Sequence, residues 1–253
     1  MNSLITNRAL GIDIGGTGIK VGLADTSIGK LVSEIITRPT QPSTPDNIAA
    51  TISEIVHELD WRGPIGCGYP GVVINDVAMT AVHLSKEWLN RNVAQTIEAR
   101  TNLPVRVLND ADAAGIAEMR FGTGREFQTR GLVLVLTFGT GIGSALFVSG
   151  RLVPNTEFGH VYIENVEAET LAAGSRRTAE NLSWETWGGR VNRYLAEMEK
   201  LVSPELIIIG GGVSENFGKF AEYLKVRAIV KPAALGNEAG IVGSALFALE
   251  QIR

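Results

Sequence analysis

Short apolar runs alternate with amphipathic stretches along this chain, a pattern that predicts strands interleaved with helices. Residues 9–38 read as three strands, ALGIDIG, IKVGLADT and KLVSEIITR, joined by turns at GGTG and SIGK. A helix is predicted over PSTPDNIAATISEIVHELDW, with Ser43 or Thr44 as its cap and Pro45 opening it. Its apolar face is Ile48, Ile52, Ile55, Val56 and Leu59. PIGCGYPGVV reads as a strand ending in a turn, VAQTIEARTN as a short helix and PVRVLND as a strand ending on polar residues. DADAAGIAEMRFG follows directly as a helix.

The second half repeats this plan. GLVLVLTFG, IGSALFVSG and RLVP read as strands, and SWETWGGRVNRYLAEMEKLV reads as a helix despite its glycine pair. PELIIIGGGVSEN reads as a buried strand, a glycine turn and the start of a further helix, and residues 239–252 form a closing helix. The alternation predicts an α/β protein. Its duplicated three-strand opening sets it apart from a simple doubly wound sheet, whose first strand would lead into a helix.

The two halves also share a word. Gly16-Thr17-Gly18-Ile19 recurs as Gly139-Thr140-Gly141-Ile142, and with these aligned Leu23 falls on Leu146. Each copy sits between two apolar runs, so each reads as a glycine hairpin presenting backbone N–H groups to an anion. Glycine is also the default residue wherever φ must be positive, so turn chemistry alone accounts for either copy taken singly. A Walker loop is excluded because no Gly-Lys pair stands at Lys20. A dinucleotide fingerprint is excluded because Val21 holds the third glycine position and a strand follows. What remains is a hairpin with Asp13 on the entering strand, suited to Mg²⁺ or its water, and Lys20 on the leaving strand, suited to a phosphate oxygen.

Composition narrows the class. Hydrophobic residues make up 45% and charged residues 20%, as in ordinary globular proteins. A net charge of −4 argues against a general nucleic-acid binder, so a polyanionic ligand would need a local basic groove. The absence of an 18-residue apolar run predicts no membrane span. MNSLITNR has no signal-type apolar region, and the lone Cys67 cannot form an internal disulfide; together they predict a cytoplasmic protein. One cysteine and three scattered histidines make a structural zinc cluster a poor expectation.

Three further groups carry candidate chemistry. Asn109 and Asp110 end an apolar strand, the edge where open α/β sheets bind ligands. A carboxylate there can accept a hydroxyl proton, although Asp110 or Asp112 could equally cap the next helix. Glu157 and His160 in TEFGH could hold sugar hydroxyls or simply form a turn. Gly211 and Gly212, in GGGVS, let a ligand approach the backbone or make a tight strand–helix turn.

Together these stretches resemble the ROK group of the actin/hexokinase-like sugar kinases, and within it the branch whose glucokinases use inorganic polyphosphate. LGIDIGGTGIK and VLTFGTGIG are similar to its two phosphate motifs, LND with ADAAGIAEMRFG to its catalytic-base segment, TEFGH to its E-x-G-H sugar motif, and LIIIGGGVS to its adenosine motif. The resemblance runs from about residue 9 to 249. It implies an actin-like ATPase or ribonuclease H-like duplication, with two lobes around a cleft. A smaller lobe would span 1–108, with 239–253 packing back on it, and a larger lobe 109–238.

The implied activity is phosphoryl transfer from polyphosphate to the 6-hydroxyl of glucose, with ATP as an alternative donor and Mg²⁺ as cofactor. In the implied roles Asp110 is the general base, while Asn109, Glu157, His160, Gly71 and Thr137 contact the sugar. Gly15, Gly16, Thr17, Gly18, Lys20, Gly139, Thr140, Gly141, Gly211 and Gly212 handle the donor, and Asp13 holds Mg²⁺ through water. A cationic track for the donor would draw on Arg120, Arg125, Arg130, Arg176, Arg177, Arg190 and Arg193. The resemblance also implies a homodimer acting on small molecules, without nucleic acid or membrane.

Two departures stand out. The cysteine-rich zinc motif common after the E-x-G-H histidine is missing, which the polyphosphate branch shares and which leaves His160 for sugar binding. His83 stands where an asparagine is usual, and a third acidic sugar ligand could be Glu164, Glu167 or Glu169. An ATP-dependent hexokinase, a sugar-sensing repressor and an acyl-phosphate or N-acetylsugar kinase are the rival readings. The first hairpin begins near residue 9, so a repressor's DNA-binding domain ahead of it is not expected.

Overall fold

A computed structural model describes residues 7–252. The first six residues, part of the stretch read for a leader, lie outside the described residues. The chain divides into two compact units, one of the residues up to Ala117 together with those from Glu238 onward, the other Glu118–Asn237.

The first unit contains strands β1 (Arg8–Ile14), β2 (Gly18–Asp25), β3 (Lys30–Leu31) and β4 (Ile36–Pro39), helix α1 (Pro45–Glu58), β5 (Ile65–Tyr69), and the small hairpin β6 (Val73–Ile74) and β7 (Val77–Ala78). Helix α2 (Val93–Thr101), β8 (Val105–Asn109) and the start of α3 (Asp110–Phe121) follow. The second holds β9 (Leu132–Phe138), β10 (Ile142–Val148), β11 (Arg151–Val153), the hairpin β12 (Tyr162–Ile163) and β13 (Val166–Glu167), helices α4 (Ala168–Ala172), α5 (Gly174–Ala179) and α6 (Trp184–Val202), then β14 (Leu206–Gly210) and β15 (Ile229–Pro232). The chain then returns to the first unit as α7 (Ala239–Ile252).

The two main sheets share one plan. The first runs β3-β2-β1-β5-β8, with β4 also on β2, and the second runs β11-β10-β9-β14-β15. In each, an antiparallel three-strand meander is followed by two parallel strands. The duplication read from the glycine words is therefore a duplication of sheet topology.

Alternation decides which residues face which layer. Leu10, Ile12 and Ile14 of β1 join Ile48, Ile52 and Ile55 of α1 in one buried core. Each such side chain contributes about 1.5–3 kcal/mol by leaving water. Thr44 caps α1 by accepting from the Asn47 N–H, and Pro45 occupies its first turn. The opposite face of the sheet carries glycines where α7 crosses it. A Cβ on Gly11 would lie 1.9 Å from the Ile241 carbonyl oxygen, and one on Gly66 would lie 1.8 Å from that of Ser244. These two glycines let α7 lie with its backbone against the strands.

In the second unit, Leu134, Leu136 and Phe138 of β9 pack with Trp187, Tyr194 and Leu195 of α6. Phe138 meets Trp187 edge-on at 5.8 Å. The glycine pair in α6 does not break it. A Cβ on Gly188 would sit 3.1 Å from Tyr223, so this glycine admits a neighbouring segment, while Gly189 faces open space. The Glu118 carboxylate closes the region beyond β15, accepting the N–H groups of Thr123, Ala234 and Leu235.

Two elements differ from the sequence reading. The expected third strand is split, because Ser33 breaks the ladder: its hydroxyl oxygen accepts the Leu23 N–H that a strand carbonyl would otherwise take. β3 pairs with Ala24–Asp25, and β4 pairs two residues out of that register with Gly18–Val21. The segment after β14 is a 3₁₀ run over Gly212–Lys219, kinked at Asn216, rather than an α-helix. Glycines at 211, 212 and 218 weaken helical propensity there.

Candidate functional site

The two glycine hairpins are alike in sequence but offset in register. In the first, Ile14 pairs with Ile19 and the loop is Gly15–Gly18. In the second, Phe138 pairs with Ile142 and the loop is Gly139–Gly141, one residue shorter. Each loop is closed by its leading glycine, whose N–H donates to the Gly18 carbonyl at 2.9 Å or the Gly141 carbonyl at 3.0 Å. Thr17, Gly139 and Thr140 are exposed at the loop tips. The Thr40 hydroxyl pins the first loop by donating to the Gly15 carbonyl at 2.6 Å. His83 borders the same loop, with its Cβ 3.5 Å from where a Cβ on Gly16 would lie.

The offset changes which residues correspond. Asp13 faces Lys20 across the hairpin and Gly68 on β5, whereas Thr137 faces Gly143 and Gly210 on β14. Thr137 is thus the second unit's counterpart of Asp13, a match that aligning the words misses by one residue. Asp13 is half-buried, and burial pushes its carboxyl above the ordinary range while Lys20 opposes that. Gly240, in the first turn of α7, stands against Asp13: a Cβ there would be 3.2 Å from the carboxyl carbon. A helix start beside a carboxylate is electrostatically favourable.

At the carboxyl end of β8 the two polar residues divide the work. Asn109 is buried; its amide N–H donates to the Gly71 carbonyl at 3.1 Å, and its oxygen accepts the Asp112 N–H at 3.0 Å. Asn109 therefore caps α3 and ties down the loop at Gly71, where a Cβ would lie 2.6 Å from the Thr80 hydroxyl. Asp110 is half-buried and accepts the Ala111 N–H at 2.8 Å. Its Cα lies 3.4 Å from where a Cβ on Gly68 would stand, next to the strand position facing Asp13.

In the second unit, Gly211 adopts φ of +76°, and a Cβ there would approach the Phe138 carbonyl to 2.5 Å. Gly212 has nothing within 4 Å of a built Cβ. Ser175 braces the second hairpin: its N–H donates to the Gly139 carbonyl at 2.9 Å, and its hydroxyl to that of Thr140 at 2.7 Å.

The same unit gathers four polar side chains after β11. The imidazole Nδ1 of His160 is 2.6 Å from a Glu167 oxygen, and Nε2 is 3.9 Å from a Glu157 oxygen. His160, Glu167 and Glu169 each place a polar atom within 4.8 Å of the others, a convergence able to receive several hydroxyls of one ring. Glu169 also accepts the Ile142 N–H at 3.4 Å, which fastens the cluster to the strand leaving the second hairpin. Gly159 allows this approach, since a Cβ there would lie 2.3 Å from the Ile142 carbonyl. Burial pushes the Glu157 carboxyl up, with His160 opposing and Glu169 adding to the rise. Burial depresses the His160 titration point, but the Glu167 hydrogen bond and the charges of Glu169, Glu167 and Glu157 outweigh it and leave it raised.

Sequence left the third acid open among three glutamates. Glu164 lies in the β12–β13 turn with positive φ and is exposed, paired with Arg193. Glu167 and Glu169 belong to the cluster. The candidate arginines also separate: Arg190 pairs with Glu180 at 2.8 Å, Arg193 with Glu164, and Arg130 lies over the Phe127 ring. Arg177 lies 3.7 Å over the ring of Trp184. Arg120, Arg125 and Arg176 are exposed.

The chain is 47% identical to a polyphosphate glucokinase of Mycobacterium tuberculosis (strain CDC 1551 / Oshkosh), over 94% of this chain and 90% of that one. Its structure superposes on the inorganic polyphosphate/ATP-glucomannokinase of Arthrobacter sp. strain KM with a TM-score of 0.92 at 44% identity, covering 96% of this chain and 99% of the other. A ROK family glucokinase from Streptomyces griseus, solved with glucose and AMPPNP, superposes with a TM-score of 0.81 at 25% identity, covering 96% and 99%. Residues 9–176, from the first strand through both hairpins to the His160 cluster, match the ROK family, and the chain belongs to it.

Proposed function

We propose that this protein transfers the terminal phosphoryl group of inorganic polyphosphate to the 6-hydroxyl of glucose, and that it also accepts ATP as donor. The observation that carries this reading is the 47% identity to a polyphosphate glucokinase along nearly the whole chain. The His160 cluster supports it, offering one imidazole and three carboxylates to a polyhydroxylated ligand.

In this reading Glu157, His160 and Glu169 hold sugar hydroxyls, and Thr137, Asn109 and Gly71 are assigned as further sugar contacts. Asp110 takes the proton of the 6-hydroxyl as its oxygen attacks the terminal phosphorus. The bond from that phosphorus to the bridging oxygen breaks, leaving glucose 6-phosphate and a chain one phosphate shorter. Base catalysis supplies about 10²–10⁴-fold, so positioning and charge stabilisation carry most of the acceleration. Backbone N–H groups of Gly16, Thr17, Gly18, Thr140 and Gly141 and the Lys20 ammonium receive donor phosphate oxygens. Gly211 and Gly212 leave space for a nucleotide when ATP is the donor.

The residues present also suit Mg²⁺. Asp13 is a half-buried carboxylate whose burial disfavours its charge, a cost that a divalent cation offsets, and Mg²⁺ takes one carboxylate together with water and phosphate oxygens. Bound there through water, the ion would neutralise charge on the donor phosphates.

Glucose 6-phosphate formation measured with polyphosphate and with ATP separately, on glucose and on mannose, tests the reading. Product from polyphosphate and glucose is expected. Product from ATP alone overturns the donor assignment, and no product from either overturns the activity.

A further inference from the structure

Among the described residues of the second unit, two cations converge on one aromatic ring without a carboxylate to balance them. The Arg177 guanidinium lies 3.7 Å from the Trp184 ring centroid, and the Lys219 ammonium lies 5.6 Å from it. Both fall within the range of cation–π attraction. Neither belongs to an ion pair, in contrast to Arg190 with Glu180 and Arg193 with Glu164. The Arg177 Nε is buried and has no hydrogen-bond partner. Trp184 is itself held in place, stacked on Phe220 at 5.8 Å and 16°. Two positive charges sharing a ring repel each other, and a buried donor left unsatisfied is costly. An anion bridging the pair would relieve the repulsion between them.

The position of this pair indicates which anion. Arg177 lies on α5, two residues beyond Ser175, whose N–H and hydroxyl hold the carbonyls of Gly139 and Thr140 in the second hairpin. Lys219 ends the 3₁₀ segment that begins at Gly212, and Val213 of that segment lies 3.0 Å from where a Cβ on Gly174 would stand. The platform is therefore built on the segments that flank the hairpin. A ligand carrying a single phosphate would need only the hairpin. A linear chain of phosphates needs cations at intervals beyond it, on a protein whose net charge is −4.

We propose that Arg177, Lys219 and Trp184 form a distal anion platform for the phosphates of a polyphosphate chain upstream of the one transferred. This rests on the reading that polyphosphate is the donor. The two cations hold the oxyanions, and the indole fixes the two cations. No bond is made or broken there.

The test compares long-chain polyphosphate, tripolyphosphate and ATP with the full-length protein and with Arg177→Met, Arg177→Lys and Lys219→Ala. Direct binding and steady-state kinetics are both measured. Arg177→Met and Lys219→Ala should each weaken long-chain binding and raise its KM about tenfold, the loss of one charge-assisted contact. The KM values for glucose, tripolyphosphate and ATP should stay as they are. Arg177→Lys should recover part of the loss, since it keeps the charge and gives up the stacked plane. The slope of log affinity against log salt should fall by about one for each cation removed. Unchanged long-chain affinity in correctly folded variants overturns the platform while leaving the donor assignment intact. Equal weakening for ATP or tripolyphosphate overturns it by giving these residues to the transferred phosphate or to a nucleotide. If the unaltered protein neither binds nor uses polyphosphate, the donor assignment fails and the platform fails with it.

Discussion

Nδ1 of His160 and a carboxylate oxygen of Glu167 stand 2.6 Å apart, which fixes the imidazole plane and directs Nε2 toward Glu157. A ring held through Nδ1–H presents its other nitrogen in one orientation. Glu167→Gln should raise the KM for glucose while changing kcat less, and should lower the pH at which His160 titrates in an NMR titration. A titration point that does not move would remove Glu167 from this role. The sign for stability follows from the raised value. The histidine contributes stability that is full below its ordinary 6.5 and is lost as pH rises through the raised point.

Asp110→Asn keeps the size of the side chain at the start of α3 and the acceptor used by the Ala111 N–H. Turnover should fall about 10²–10⁴-fold, with glucose affinity and the unfolding midpoint near those of the unaltered protein. Rapid-quench measurement of product with saturating donor would check this, and near-normal turnover would remove Asp110 as the base.

Gly66→Ala and Gly189→Ala should move stability in opposite directions. The first forces a methyl to 1.8 Å from the Ser244 carbonyl oxygen and should cost about 3 kcal/mol or more as α7 is pushed off the sheet. The second adds a methyl in open space on α6 and should stabilise by about 0.5–1 kcal/mol. Urea unfolding of both variants decides the matter, and comparable midpoints would contradict the packing of α7.

Glu118→Ala should be strongly destabilising although no ion pair is lost. Three backbone N–H groups, of Thr123, Ala234 and Leu235, lose their acceptor inside the second unit. Orphaned donors cost about 1–3 kcal/mol each, so a loss of about 3 kcal/mol or more is expected in the denaturant midpoint.

The sequence was most informative where chemistry depends on local spacing. The glycine words announced both hairpins, because a strand–glycine–strand pattern needs no distant partner. The residues around Asn109 were placed at a strand end by the apolar run before them, but which one caps α3 depends on side-chain direction. Glu167 was hard to identify because it reaches His160 through the β12–β13 hairpin, whose turn at Glu164 and Asn165 carries positive φ at both residues. Only that turn sets Glu167 opposite Tyr162 and turns Glu164 away. The one-residue offset between the hairpins was hidden for a related reason, since identical letters align before pairing does. Ser33 broke the third strand through a hydroxyl that takes the place of a carbonyl, which alternation of apolar residues does not register.

The placement of α7 bears on how the molecule is made. As residues emerge from the ribosome, β1 and β5 appear early with Gly11 and Gly66 bare, and the helix that covers them is encoded after all of the second unit. The second unit has a contiguous stretch of chain and can close as soon as it is translated. The half that emerges first is thus the half completed last, because its glycine-bearing strands await the helix that packs against them.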